Sequence, residues 1–127
     1  MSPVLGIGVD LASVERVERA LRRRPGLAGR LFAQAETKDC MRRADPYPSL
    51  AARFAAKEAC MKALGTGWGS GVSFLDIVVE GAFGEPPRLA LSGGAAERFA
   101  RMGAVRAHLS LTHDGGVAAA FVVLEGP

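Results

Sequence analysis

Aromatic side chains are scarce in this sequence, at 6% of 127 residues, with one tryptophan and one tyrosine. The core must therefore be mainly aliphatic, built with the plentiful alanine and glycine. No apolar run approaches the ~20 residues of a membrane span, which excludes a spanning helix. The residues MSPVLGIGVDLAS have no basic segment ahead of their apolar part, and Asp10 interrupts it. They read as a strand and not as a secretion signal. Cysteine is limited to Cys40 and Cys60. Without an export signal these are expected to be free thiols in a reducing cytoplasm. Neither C-x-x-C nor H-x-x-x-H is formed with His108 and His113, which argues against zinc. Repeats, low-complexity tracts and linkers are lacking too, so residues 1–127 read as one domain with a real core.

Charge is modest in sum, at +3, but uneven. Arg16, Arg19, Arg22, Arg23, Arg24 and Arg30 crowd into fifteen residues. Such a cluster is either a solvated helix face or the footprint of an acidic partner: a protein, a nucleotide or a nucleic acid. A nucleic-acid-binding domain on that helix is disfavoured, because aromatic interleaving is slight and no helix-turn-helix or RNA-binding signature occurs.

Val4 to Asp10, with glycine at 6 and 8, predicts a short buried strand. Glycine inside a strand marks close approach of another backbone or of a ligand. Asp10 at the strand's end is a turn residue or a site residue. Ser13 is a suitable N-cap for a helix from Val14 to about Arg24. Val14, Val17, Ala20 and Leu21 form its inner stripe, and Arg16, Arg19 and Arg23 its outer side. Short helices are expected over 27–32 and 36–43. A loop over 45–48 precedes Ser49, the expected N-cap of the main helix.

That helix and the loop after it, LAARFAAKEACMKALGTGWGSG over 50–71, carry the chemistry. Leu50, Phe54, Met61 and Leu64 share one narrow sector and face the core. Lys57 falls in the same sector, so it must snorkel at an edge or point at something specific. Glu58 and Lys62 stand one turn apart beside that sector. Ala51 and Ala55 on their side are expected to leave an open groove. Alone, E-x-x-x-K is an ordinary surface pair worth ~0.3–0.5 kcal/mol. Here it runs into glycines at 65, 67, 69 and 71, which shifts the reading toward a site for phosphate and a metal ion. Gly65 is placed to close the helix in the left-handed conformation. The loop is no P-loop, because the G-K-[ST] ending is absent. Trp68 within it is expected at an interface or over a pocket.

Further on, 72–80 and 88–91 predict a hairpin, 92–102 a helix, and 107–112 an alternating strand. In that strand His108, Ser110 and Thr112 point one way, Leu109 and Leu111 the other. A tight turn, His113-Asp114-Gly115-Gly116, leads to a last strand over 117–124, expected to be buried on both faces. Thr112, His113 and the glycine turn form a plausible anion-binding corner. The order β-α-α-α-β-β-α-β-β implies an α+β fold with a mainly antiparallel sheet packed against a long central helix and shorter helices.

Three segments in sequence order, GIGVDLASVER at 6–16, RFAAKEACMKALGTG at 53–67 and LSLTHD at 109–114 followed by AAAFVVLE, resemble the holo-acyl-carrier-protein synthases, the small 4'-phosphopantetheinyl transferases. The resemblance spans nearly the whole chain. It implies the 4'-phosphopantetheinyl transferase fold. It implies transfer of the phosphopantetheine arm of coenzyme A to a serine of an acidic acyl carrier protein, with adenosine 3',5'-bisphosphate released. It implies a magnesium ion held by Asp10 and Glu58, and Lys62 at the reacting phosphate. Arg53, Gly65, Thr66, Gly67, Thr112 and His113 are the matching coenzyme residues, and Arg16 and Arg23 the carrier-facing ones. The family's small members form trimers with active sites between subunits. Thr112 stands where serine is frequent, which keeps the hydroxyl. Arg42 and Arg43 lie outside the matching motifs and read as surface charge, with the coenzyme's 3'-phosphate as the alternative.

The bottom-up chemistry agrees. Magnesium favours oxygen ligands and takes one or two carboxylates beside phosphates and waters. Phosphoryl-type transfer relies on positioning and charge neutralisation. The serine proton would go to Glu58 or to a water held there. A fatty-acid carrier and a polyketide carrier are both possible acceptors.

Overall fold

The computed structural model describes residues 1–67, 70–81 and 85–127. Its elements follow the expected order with one helix more, four instead of three coming before the hairpin: β1 (Val4–Ser13), α1 (Val14–Arg23), α2 (Leu27–Leu31), α3 (Gln34–Cys40), α4 (Tyr47–Leu64), a 3-10 turn (Phe74–Asp76), β2 (Ile77–Glu80), β3 (Arg88–Leu91), α5 (Gly93–Arg101), β4 (Arg106–Asp114) and β5 (Val117–Glu125). The strands form two antiparallel sheets, a three-stranded one in the order β1-β5-β4 and a separate β2-β3 pair. In the larger sheet Asp10 and Leu111 both stand opposite Ala120 on the central strand.

Helix α4 lies on the inner face of the larger sheet, and small residues decide how closely. Ala51, Ala55, Ala59 and Ala63 recur every fourth residue and are buried in the main core. They meet β1 where it has no side chains. A Cβ on Gly8 would stand 2.7 Å from the Ala59 carbonyl carbon, and one on Gly6 3.0 Å from that of Ala63. The glycines of β1 thus serve approach of another backbone, the helix itself. The open groove expected above Ala51 and Ala55 is not formed, because that side of the helix is pressed into the core. Ala118, Ala120, Val122 and Leu124 of β5 complete the contact from the sheet.

Four elements depart from expectation. The strand expected from residue 72 begins only at Ile77, because Phe74–Asp76 turns as a 3-10 helix. Helix α4 starts at Tyr47 with Pro48 in its first turn, a place where proline's missing N–H costs nothing. Ser49 is therefore not the N-cap, and its hydroxyl accepts a bond from the Cys40 thiol at 3.2 Å. Strands β1 and β5, expected to be buried, are covered on one face only. On the other face Ile7, Val9, Leu11 and Phe121 are 58%, 54%, 67% and 44% exposed. Ser13 does cap α1, accepting from the Arg16 N–H at 3.2 Å.

Candidate functional site

The first cluster forms where the last turns of α4 pass over β1. By strand alternation Asp10 shares the inner face with Gly6, Gly8 and Ala12. Seating of α4 on the two glycines brings Lys62 alongside. Its ammonium donates to Asp10 Oδ1 and to the Val9 carbonyl, both at 3.0 Å. Asp10's side chain is 14% exposed and Lys62's 54%, so the pair sits at the mouth of the helix-sheet junction. Glu58, half-buried, stands one turn before Lys62 on α4.

The end of α4 is shaped by three groups. Gly65 takes φ +73°, and its N–H donates to the Lys62 carbonyl at 3.0 Å. The Thr66 N–H donates to the Met61 carbonyl at 3.1 Å, which closes the helix in a Schellman-type turn. Arg98 of α5 donates from Nε to the Leu64 carbonyl at 2.9 Å. Arg98 had no signal in the sequence beyond being a cation available to a helix C-terminus. Gly67 follows with φ +60°, and Trp68 and Gly69 lie outside the described residues.

The second cluster lies on the far strand. Thr112 and His113 near the end of β4, with Ser49 and Ala52 of α4 and Arg43 and Asp45 from the preceding segment, line a cavity of about 360 Å³. Strand β5 separates β4 from β1. Asp10, which Lys62 reaches from α4, and the Thr112–His113 corner therefore belong to opposite edge strands of one sheet.

Arg53, expected at the coenzyme, is buried at 6% exposure. It donates to the Val79 carbonyl at 2.9 Å and pairs closely with Asp39. Asp39 also pairs with Arg43 at 3.6 Å, so Arg53 bears on the cavity through that carboxylate. Lys57, left open between an edge and a specific partner, has the partner: it is fully buried against Glu36 at 2.7 Å. Burial pulls its ammonium below the usual lysine range, with Glu36 opposing.

On α1, Arg19 pairs with Glu15 at 3.1 Å and Arg22 with Glu18 at 3.0 Å. Arg16 and Arg23 are exposed and enter no ion pair among the described residues. Arg16 stands on the rim of an apolar groove of about 880 Å³ that includes Leu11, Val17, Leu21, Phe54 and Phe74. Cys60 is no nucleophile, since burial pushes its thiol up to about 12.

Among the described residues no three His, Cys, Asp or Glu side chains gather into a metal cage. The donor set at the first cluster still suits a hard cation. Asp10 already holds one cationic group, the Lys62 ammonium, through a carboxylate oxygen. Glu58 offers a second carboxylate on the same face of α4 as Lys62. Two carboxylates beside an ammonium can receive a phosphate together with a divalent ion.

Residues 6–122 match the model of the 4'-phosphopantetheinyl transferase superfamily. The chain is 52% identical over 127 residues to a holo-[acyl-carrier-protein] synthase of Anaeromyxobacter dehalogenans, covering 97% of each. The crystal structure of holo-[acyl-carrier-protein] synthase from Neisseria meningitidis superposes with a TM-score of 0.85 at 32% identity, over 96% of this chain and 98% of that one. The Helicobacter pylori holo-[acyl-carrier-protein] synthase, solved in complex with coenzyme A, gives a TM-score of 0.80 at 34% identity, over 93% and 98%. With a family model spanning nearly its whole length and a relative that shares half its residues, the chain belongs to the 4'-phosphopantetheinyl transferase superfamily, among the holo-[acyl-carrier-protein] synthases.

Proposed function

We propose that this chain moves the 4'-phosphopantetheine arm of coenzyme A onto a serine hydroxyl of an acyl carrier protein. The observation that carries the reading is the Lys62–Asp10 contact at 3.0 Å with Glu58 one turn away, in a member of this superfamily. In the reaction a bond forms between the serine oxygen and the β-phosphorus of the pyrophosphate. The phosphoanhydride bond on the adenosine side breaks, and adenosine 3',5'-bisphosphate leaves. Glu58 accepts the serine proton, directly or through a water. Lys62 balances the negative charge that grows on the bridging oxygen. Asp10 orients Lys62 through their hydrogen bond. Asp10 and Glu58 would hold magnesium, which supplies charge neutralisation across the pyrophosphate.

Gly65, Thr66 and Gly67 let the coenzyme's phosphates lie against the backbone. Thr112 and His113 clamp its nucleotide end, with Arg43 in the same cavity as a cation for the 3'-phosphate. The two halves lie on opposite edges of one sheet, so one active site is assembled from two subunits. The open apolar face with Ile7, Val9, Leu11 and Phe121 is the surface for that contact, in a homotrimer. Arg16 and Arg23, free of intrahelical partners, receive the acidic carrier, of fatty-acid or polyketide type. No helix among the described residues is long and apolar enough to cross a membrane, and a cytoplasmic location is proposed.

The test is mass analysis of apo-carriers of both types after incubation with the protein, coenzyme A and magnesium. A gain of one phosphopantetheine on the serine is expected. No gain on any carrier, with coenzyme A intact, overturns the reading. Sedimentation of the purified protein is expected to give three times the chain mass.

A further inference from the structure

Two basic residues one turn apart on α4 point into the protein, each toward a carboxylate of α3 and a carbonyl of the segment around β2. Arg53 pairs with Asp39 and donates to the Val79 carbonyl. Lys57 pairs with Glu36 and donates to the carbonyls of Phe74 at 3.0 Å and Ile77 at 2.6 Å. Three acceptors use all three ammonium hydrogens. Glu36 in turn accepts from the N–H groups of Val79 and Ala33, both at 3.0 Å. Both side chains of the Lys57–Glu36 pair have 0% exposure. A buried pair of this kind is seldom worth more than apolar residues of equal volume, so its effect is better sought in geometry than in stability.

The geometry it controls is local. The carbonyls that Lys57 holds frame the 3-10 turn, and Ser73, Phe74 and Leu75 form one wall of the groove that Arg16 borders. Phe74 also stacks on Phe54 of α4, with ring centroids 5.6 Å apart. Lys57 therefore ties the wall to the helix that bears Glu58 and Lys62. We infer that the Lys57–Glu36 pair is a positioning pair for the acceptor side of the reaction: it sets the Ser73–Leu75 wall at the distance from α1 that the carrier protein requires. This rests on the reading that the carrier docks beside Arg16.

The test compares the wild type with the double variant Lys57→Met/Glu36→Gln, which removes both charges together. The Michaelis constant for carrier is expected to rise at least tenfold. That for coenzyme A is expected to stay within twofold, and kcat at saturating carrier within threefold. A folded double variant with an unchanged carrier constant overturns the inference. Leu75→Ala covers the case in which the double variant does not fold, because Leu75 is 43% exposed and its loss leaves the core intact. It is expected to raise the carrier constant at least threefold without changing that for coenzyme A, and no change overturns the inference equally. A wild type that modifies no carrier refutes the functional reading itself, and the inference falls with it.

Discussion

Gly8→Ala tests the link between the fold and the proposed chemistry most directly. A Cβ at this position would stand 2.7 Å from the carbonyl carbon of Ala59 and 3.0 Å from the nitrogen of Ala63, and closer still to the Ala59 carbonyl oxygen. Carbon atoms rest at roughly 3.5–4.0 Å from one another. The helix must therefore retreat from β1 by about 0.8 Å or more, since that is the gap between 2.7 Å and the lower end of that range. The Lys62 ammonium, now 3.0 Å from Asp10, would leave hydrogen-bond range or take a poorer rotamer. Overpacking of this kind costs about 1–3 kcal/mol, and a 1 Å misplacement at a reacting centre costs about 10²-fold in rate. Urea unfolding and the carrier-modification assay would read the two effects separately. Because the obstruction is backbone, Ala59→Gly cannot rescue the variant. Gly26→Ala, where an added Cβ meets nothing within 4 Å, is the control. Wild-type stability and turnover in Gly8→Ala would refute the claim that this contact sets the site.

Lys62→Met and Asp10→Asn are each expected to lower turnover at least 10²-fold while moving stability by less than about 1 kcal/mol, because Lys62 is largely exposed; a thermal melt beside the activity assay checks both. Glu36→Gln alone is expected to cost about 3–5 kcal/mol at neutral pH, since it strands the Lys57 ammonium in the core. Burial already holds that ammonium below its unfolded range, so the folded state binds fewer protons there than the unfolded state. Stability of the variant should therefore climb with pH toward 10.5, the ordinary lysine value, by up to about 1.4 kcal/mol per unit, and urea melts at several pH values would show a flat profile if this is wrong. Cys40 and Cys60 are both buried with raised thiol pKa values, that of Cys60 reaching about 12. Iodoacetamide at pH 8 should leave both unmodified by mass in the native protein and label both in denaturant.

Local patterns were the most legible part of the molecule. The element order, the Ser13 cap, the αL closure at Gly65 and the alternation in β4 all depend on residues within one or two turns of each other. Long-range pairings were not legible. Lys57 shares the apolar sector of α4, and the wheel alone cannot say that Glu36, twenty-one residues earlier, comes round to meet it. Arg53 sits inside the motif that carries the chemistry, so motif membership put it at the coenzyme. The docking of α3 turns it inward onto Asp39 and the Val79 carbonyl, pairings the motif alone does not show. The open groove expected over Ala51 and Ala55 failed for a related reason. Small residues on a helix leave space only if nothing else fills it, and here a strand with glycine at 6 and 8 moves in.

Strands β1 and β5 are the more instructive case. Runs such as VLGIGV and VAAAFVVL are apolar on both faces, and that pattern signals burial on both faces. Helix α4 covers one of them. Ile7, Val9, Leu11 and Phe121 remain open on the other, in a row across β1 and β5 that no element of this chain covers among the described residues. An apolar sheet face left to water is unfavourable, at ~25 cal/mol for each Å². The expectation of burial is therefore better met in the proposed assembly than in the lone chain. The same proposed assembly bears on the two site clusters. Asp10, joined by Lys62 from α4, stands on one edge strand and Thr112 and His113 on the other, with β5 between them. In the proposed trimer a neighbouring copy packed on the open face would bring the edge of one subunit to the opposite edge of the next. The excess apolar residues of β1 and β5 and the two separate clusters are both accounted for by the proposed subunit contact. A variant such as Phe121→Glu, placed in that face and outside both clusters, should lose trimer and transfer activity together.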